Sequence, residues 1–144
     1  MFSQRNVLLF FHVVGAVLMI GPTTMATSSF ARHVRGRDLG AARAANRTAR
    51  SYGLLSVVVP VFGLLLAQHL DLFGEQWVDQ AITLFAVGAL VLFALHLPAE
   101  RRALAALEHG DDVDRRLLGR LQGSAGVYAL TWVIIVFLMV AKPG

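Results

Sequence analysis

Four long apolar stretches dominate the pattern of hydrophobic and polar positions along this chain of 144 residues. They cover residues 7–27, 52–70, 78–97 and 125–141. Each approaches the ~20 apolar residues with which an α-helix crosses ~30 Å of hydrocarbon. Since backbone groups in lipid must be paired within their own segment, the stretches predict four transmembrane helices that form one domain over residues 1–144.

The two long polar segments between these stretches, residues 28–51 and 98–124, also favour helix. Leu39–Arg50 and Ala99–Glu108 are rich in alanine and arginine, which are good helix formers. We therefore expect an all-α protein whose helices extend beyond the membrane and turn near residues 36–38 and 109–111. Prolines bend helices, and those at positions 22, 60 and 98 predict bends in the first three.

Basic residues are concentrated in these same two polar segments, which hold eleven of the 13 lysines and arginines. Only Arg5 and Lys142 lie elsewhere. The positive-inside rule places both arginine-rich segments in the cytoplasm and both termini outside. We expect a multi-pass protein of the bacterial cytoplasmic membrane, in contact with an anionic inner leaflet.

The chain also resembles itself when it is shifted by 73 residues without a gap. The shift lays Phe11–Ile20 on Leu84–Phe93, and it aligns Asp38 with Asp111 and Gly53 with Gly126. Because the register continues through the polar segment, it favours two tandem helical hairpins over chance similarity. The repeats would be parallel, unlike the inverted repeats of many transporters.

Composition and charge narrow the function classes. The chain has no cysteine, which excludes thiolate metal sites and cysteine nucleophiles. Its net charge of +4 follows from topology and does not indicate nucleic acid. No aspartate or glutamate lies deep in a span. We expect local ion pairs near the second polar segment, between the acidic residues Glu100, Glu108, Asp111, Asp112 and Asp114 and the arginines Arg101, Arg102, Arg115 and Arg116. We see no catalytic constellation, and the absence of a buried carboxylate weighs against a proton-coupled transporter.

Histidines are the remaining candidates for chemistry. His12 lies within the first span, and His69 ends the second span at the same outer level, so the pair could bind haem b or a metal ion. The alternative for His12 is a hydrogen bond to a neighbouring helix. His33 and His96 share the inner level, and His96 is a further candidate ligand. The alternative for His33, His69 and His96 is an interfacial position where head groups hydrate them.

Three arginines at spacings of four and seven share one face of a predicted helix: Arg43, Arg47 and Arg50. This face could contact anionic lipid head groups or an acidic partner. The alternative is a solvated face that only sets topology.

The segment Leu9–Met19 (LFFHVVGAVLM) resembles the opening of small bacterial membrane families. These include a predicted integral membrane family of unknown function and, more distantly, the copper-resistance D membrane proteins. The resemblance implies that His12 matches a proposed haem ligand. The chain departs from the pattern at Met19–Gly21, where those families often have tryptophan and paired glycines.

Three functions remain open. We favour a non-catalytic subunit or scaffold that assembles with other membrane subunits or with copies of itself. The alternatives are a haem- or metal-binding protein that uses His12, in electron transfer or metal handling, and an oligomeric transporter of small solutes.

Overall fold

The computed structural model describes residues 3–141, and all regular structure in that range is helical. Four long helices follow one another: α1 (Gln4–Arg35), α2 (Leu39–His69), α3 (Gln76–Glu108) and α4 (Arg115–Ala141). All four are long and apolar enough to cross a membrane.

Three of these helices contain a local irregularity. In α1, a π-helical segment at Ala16–Ile20 separates the α-helical parts Gln4–Gly15 and Gly21–Arg35. In α3, the π-helical segment is Val91–His96, between Gln76–Leu90 and Leu97–Glu108. In α2, a turn at residues 56–57 separates Leu39–Leu55 from Val58–His69.

Each irregularity lies just before one of the three prolines that are predicted to bend helices. Both π-helical segments end two residues before a proline, at Pro22 and Pro98. Proline lacks the N–H for the carbonyl four residues earlier, and its ring crowds that carbonyl, so the wider turn relieves the conflict. In α2, the Ser56 carbonyl cannot receive a bond from Pro60 and instead accepts from Val59 N at 3.0 Å.

The turns at the arginine-rich end, where α1 meets α2 and α3 meets α4, have related conformations. Arg37 (φ 52°) and Gly110 (φ 72°) both adopt the left-handed region, and they are equivalent under the 73-residue shift. The helices that follow begin differently. Asp38 caps α2 by accepting from Ala41 N at 3.0 Å, whereas α4 begins only at Arg115.

Packing is uneven along the bundle. The helices α1 and α2 contact each other along their length, as do α3 and α4. Contacts between these two pairs are concentrated towards the arginine-rich end and become sparse towards the opposite end, where the α2–α3 turn lies. The bundle's main core therefore sits in the arginine-rich half.

Small residues allow the close approach of helices in that half. Buried alanines line it, among them Ala42, Ala45, Ala49, Ala99 and Ala103. A Cβ atom on Gly53 would come within 2.8 Å of Leu92 Cδ2, so α2 and α3 meet there without room for a larger residue. Such small-residue contacts are typical of helices that associate in membranes.

Candidate functional site

A histidine and a glutamate of α3 are enclosed in the arginine-rich half of the bundle. His96 and Glu100 are both 0% exposed, and His96 Nε2 lies 2.7 Å from Glu100 Oε2. The two residues are four apart, so one helical turn places both side chains on the same face of α3. His96 ends the π-helical segment, and Glu100 follows Pro98 by two residues.

Two neighbouring helices complete this polar cluster. Asn46 of α2 donates from Nδ2 to Glu100 Oε1 at 2.8 Å. On α4, Ser124 Oγ lies 2.7 Å from His96 Nδ1 and donates to the Arg120 carbonyl, also at 2.7 Å. We call these four residues, His96, Glu100, Asn46 and Ser124, the buried polar cluster. It connects α2, α3 and α4 through side chains that are less than 9% exposed.

The expectation that Glu100 pairs with neighbouring arginines is wrong. Its carboxylate faces inward and bonds Asn46, because positions 92, 96, 100, 103 and 107 form the buried stripe of α3. Glu100 and His96 occupy that stripe at helical spacing, which is the sequence signal that could have found them. The bundle thus holds a buried carboxylate next to the third apolar stretch, which removes one argument against proton-coupled transport.

His96 likewise does not lie among head groups. It is fully enclosed, whereas His33, which was expected at the same level, is only half-buried near the end of α1. His96 faces into the bundle because it belongs to the buried stripe of α3, where it is the last residue of the π-helical segment.

The 73-residue shift relates this site to α1. His96 and Glu100 are equivalent to Thr23 and Thr27, which are 0% and 1% exposed. Both threonines bond backbone carbonyls of their own helix, Thr23 with Met19 at 2.7 Å and Thr27 with Thr24 at 3.0 Å. Equivalent positions in the two halves are therefore buried and polar, but only α3 carries ionisable groups there.

His12 bonds the neighbouring helix. Its Nδ1 lies 2.9 Å from the Val59 carbonyl oxygen, which can only accept, so Nδ1 carries the proton and Nε2 is left with its lone pair. The ring packs against Gly63, where a Cβ atom would come within 2.9 Å of His12 Cε1. His69 is exposed and lies six residues beyond Gly63, about 9 Å farther along α2 at 1.5 Å per residue.

The three arginines of the predicted α2 face differ in their surroundings. Arg43 donates to Glu108 of α3 at 2.8 Å and forms an exposed ion pair there. Arg47 and Arg50 are exposed, and within residues 3–141 no ion pair involves either of them. A second ion pair, Arg37 with Asp112 at 4.0 Å, links the two turns of the arginine-rich end.

In the part of the chain that the structure describes, no three histidine, aspartate or glutamate side chains cluster as a metal site would require. Any metal or haem ligation through His12 therefore remains a prediction that rests on His12 itself.

Four membrane-length apolar helices around a small buried polar cluster define a multi-pass helical membrane protein. The chain belongs to the family described as "Predicted integral membrane protein (DUF2269)", whose sequence model matches residues 6–143. This confirms the membrane family of unknown function expected from Leu9–Met19, and it shows no similarity to the copper-resistance D proteins. No curated protein and no solved structure matches the chain.

Proposed function

We propose that this protein is a non-catalytic subunit or scaffold of an assembly in the bacterial cytoplasmic membrane. Its partners would be other membrane subunits or further copies of the chain. The observation that supports this proposal is the ordered arginine-rich half of the bundle, which is longer than a membrane crossing needs.

The helices are longer than the thickness of the hydrocarbon core requires. The 33 residues of α3 rise about 50 Å at 1.5 Å per residue, whereas the hydrocarbon core is ~30 Å thick. The excess of roughly 20 Å is packed around buried alanines and linked by the Arg43–Glu108 ion pair. We call this extension of the bundle the platform. Its charged surface suits contact with partners or lipid head groups better than it suits catalysis.

The orientation belongs to the same proposal. We infer that the arginine-rich end faces the cytoplasm, that both termini lie outside, and that the chain is built as two tandem hairpins. The distribution of eleven basic residues against two supports this orientation. The equivalence of Arg37 and Gly110 in the two turns supports the tandem arrangement.

Within the platform, Arg47 and Arg50 are the residues that we expect to contact anionic head groups or an acidic partner. Both are exposed, while Arg43 on the same face is engaged with Glu108. Near an anionic surface each basic residue contributes about 1 kcal/mol to binding. Two arginines would therefore change lipid retention by roughly one order of magnitude or more.

The test uses the double variant Arg47→Glu/Arg50→Glu in nanodiscs that contain a mixture of zwitterionic and anionic lipid. Anionic lipids that stay bound after mild delipidation are counted by native mass spectrometry. We expect the wild type to retain anionic lipid and the variant to lose most of it, more clearly at low salt. The matched control, Arg5→Glu, changes charge at the opposite end and should behave as wild type. Equal retention in all three proteins would contradict the lipid contact.

The second candidate function is haem or metal binding through His12. The observation that favours it is the Nδ1 bond to the Val59 carbonyl, because ligating histidines commonly donate the other ring N–H to a carbonyl. That bond fixes the ring and leaves Nε2 available as a ligand.

A visible spectrum of protein purified in mild detergent, oxidised and then reduced with dithionite, tests this candidate. A ligand role predicts a Soret band that shifts on reduction, or a bound metal, which His12→Ala removes and the control His109→Ala keeps. A featureless spectrum together with a blank metal analysis, or cofactor content unchanged in His12→Ala, would exclude it.

A further inference from the structure

We propose that His96 and Glu100 form a binding site for one proton inside the bundle. The inference goes beyond the proposed function and does not depend on it. It rests on three contacts of 2.7 Å that follow one another through the buried polar cluster. They join Glu100 Oε2 to His96 Nε2, His96 Nδ1 to Ser124 Oγ, and Ser124 Oγ to the Arg120 carbonyl oxygen.

With a neutral histidine and an ionised glutamate, the three contacts hold one hydrogen too few. Each short contact between two polar atoms needs a hydrogen, since two bare lone pairs at 2.7 Å repel. The Arg120 carbonyl can only accept, so the single hydroxyl proton of Ser124 goes to it. Ser124 Oγ must then accept from His96 Nδ1–H. A neutral histidine has no second proton, and the contact from Nε2 to Oε2 is left without one.

The missing proton comes from solvent. It resides either on Nε2, giving an imidazolium beside a carboxylate, or on Oε2, giving a neutral imidazole beside a carboxylic acid. Asn46 donates to the other carboxyl oxygen in both cases. Both forms have zero net charge, whereas the site without the proton carries a full negative charge in an enclosed, apolar setting.

The contact between Nε2 and Oε2 is short enough for either atom to hold the proton, and its geometry favours neither of the two forms. Nε2 and Oε2 lie at the distance of an ion pair, 2.7 Å, but do not meet the geometry of a hydrogen bond. Within residues 3–141, neither atom has another hydrogen-bond partner.

Within residues 3–141, no charged side chain of another helix forms an ion pair with His96 or Glu100. Asn46 and Ser124 face these two residues from α2 and α4, and neither titrates in the accessible range. The charged residues one turn away on those helices, Arg50 and Arg120, are exposed. In this half of the bundle α1 carries the buried Thr23 and Thr27, and its titratable or charged residues there are the half-buried His33 and the exposed Arg32 and Arg35. Tyr128 is the titratable residue one turn beyond Ser124 on α4 and is also buried.

Nuclear magnetic resonance on the intact wild-type protein tests the proton count directly. Histidine ¹⁵N signals report which ring nitrogens are protonated, and the ¹³C signal of the glutamate carboxyl reports its ionisation. His96→Gln and Glu100→Gln serve to assign the signals. At neutral pH we expect either a doubly protonated His96 with an ionised Glu100, or a singly protonated His96 with a protonated Glu100. A singly protonated His96 beside an ionised Glu100 would overturn the proposal.

The pH dependence of unfolding gives a second, independent test. A solvated glutamate is ionised and a solvated histidine is mostly neutral above neutral pH, so the unfolded pair holds no extra proton. The folded state holds one, and stability must therefore fall as pH rises, with the unfolding constant increasing up to tenfold per pH unit. Glu100→Gln presents an amide that mimics the protonated carboxyl and should lose this dependence.

The matched control is Glu108→Gln, which neutralises an exposed carboxylate on the same helix. It should keep the wild-type pH dependence. If Glu100→Gln keeps it as well, or if the wild type shows none above neutral pH, the site does not bind the proton. The wild-type signals can also be assigned by substituting the other four histidines in turn, so a His96 or Glu100 variant that fails to fold leaves the proposal open to refutation.

Discussion

Two glycines that the 73-residue shift aligns differ in how closely other residues pack against them. Gly53 is buried between α2 and α3, where an added Cβ would lie 2.8 Å from Leu92 Cδ2. Gly126, its equivalent under the 73-residue shift, is exposed on α4 and has nothing within 4 Å. The same residue type thus serves close helix contact in one half and has no packing role in the other.

We expect Gly53→Ala to destabilise the bundle by about 1 kcal/mol or more, because Leu92 is only 1% exposed and has little room to move. Gly126→Ala should be neutral or stabilising by up to ~1 kcal/mol, through its higher helix propensity. Reversible unfolding in mixed micelles with a denaturing detergent measures both variants. Equal effects of the two substitutions would show that helix propensity, and not packing against Leu92, determines the change in stability.

The site residues show how far sequence reasoning reaches at this scale. His12 could be recognised as a histidine inside a span, and its bond to Val59 matches the alternative of a contact with a neighbouring helix. Glu100 sits among arginines in the sequence, which predicts local ion pairs. Whether Glu100 is buried depends on the neighbouring helices. The sequence of α3 alone does not show that Asn46 of α2 bonds Glu100 or that Ser124 of α4 lies against His96.

At the scale of the elements, the prolines predict where helices deviate but not how. A π-helical turn takes up an additional residue, which rotates everything after it by about one residue's angular step relative to a regular α-helix. The segments Ala16–Ile20 and Val91–His96 therefore shift the buried face of α1 and α3 midway. A regular period of 3.6 carried across these segments therefore misses this change in the angular position of the residues that follow.

The two helix starts at the arginine-rich end offer a matched comparison. Asp38 caps α2 through Ala41 N, and Asp38→Ala should cost about 1 kcal/mol. Asp111, its repeat equivalent, precedes α4 by four residues, and the Arg37 guanidinium bonds its backbone carbonyl. Asp111→Ala should therefore change stability by less than about 0.5 kcal/mol, typical of an exposed position. The same unfolding assay compares them, and a larger loss for Asp111→Ala would contradict the assigned cap.

At the scale of the whole molecule, orientation can be tested without interference because the chain has no cysteine. Glu75→Cys lies in the exposed α2–α3 turn and Arg101→Cys at the arginine-rich end. In intact cells, a membrane-impermeant maleimide should label the first variant and leave the second unlabelled until the membrane is permeabilised. The reverse pattern would invert the proposed topology.

The all-helical, four-span architecture follows directly from the sequence, because hydrocarbon thickness imposes one length on every apolar stretch. The arrangement of the helices is not constrained in that way. The pair α1–α2 could pack against the pair α3–α4 only near the arginine-rich end or along its whole length. Contacts such as that of Gly53 with Leu92 decide between these arrangements, and composition does not encode them.

The uneven packing of the two helix pairs has a consequence for the surrounding bilayer. Protein contacts hold the pairs together near the arginine-rich end, whereas towards the α2–α3 turn few such contacts exist. In the proposed orientation, acyl chains of the outer leaflet are then the neighbours of surfaces that elsewhere in the bundle touch protein. The fatty-acid composition of that one leaflet, its chain length and unsaturation, becomes part of what sets the spacing of the two pairs.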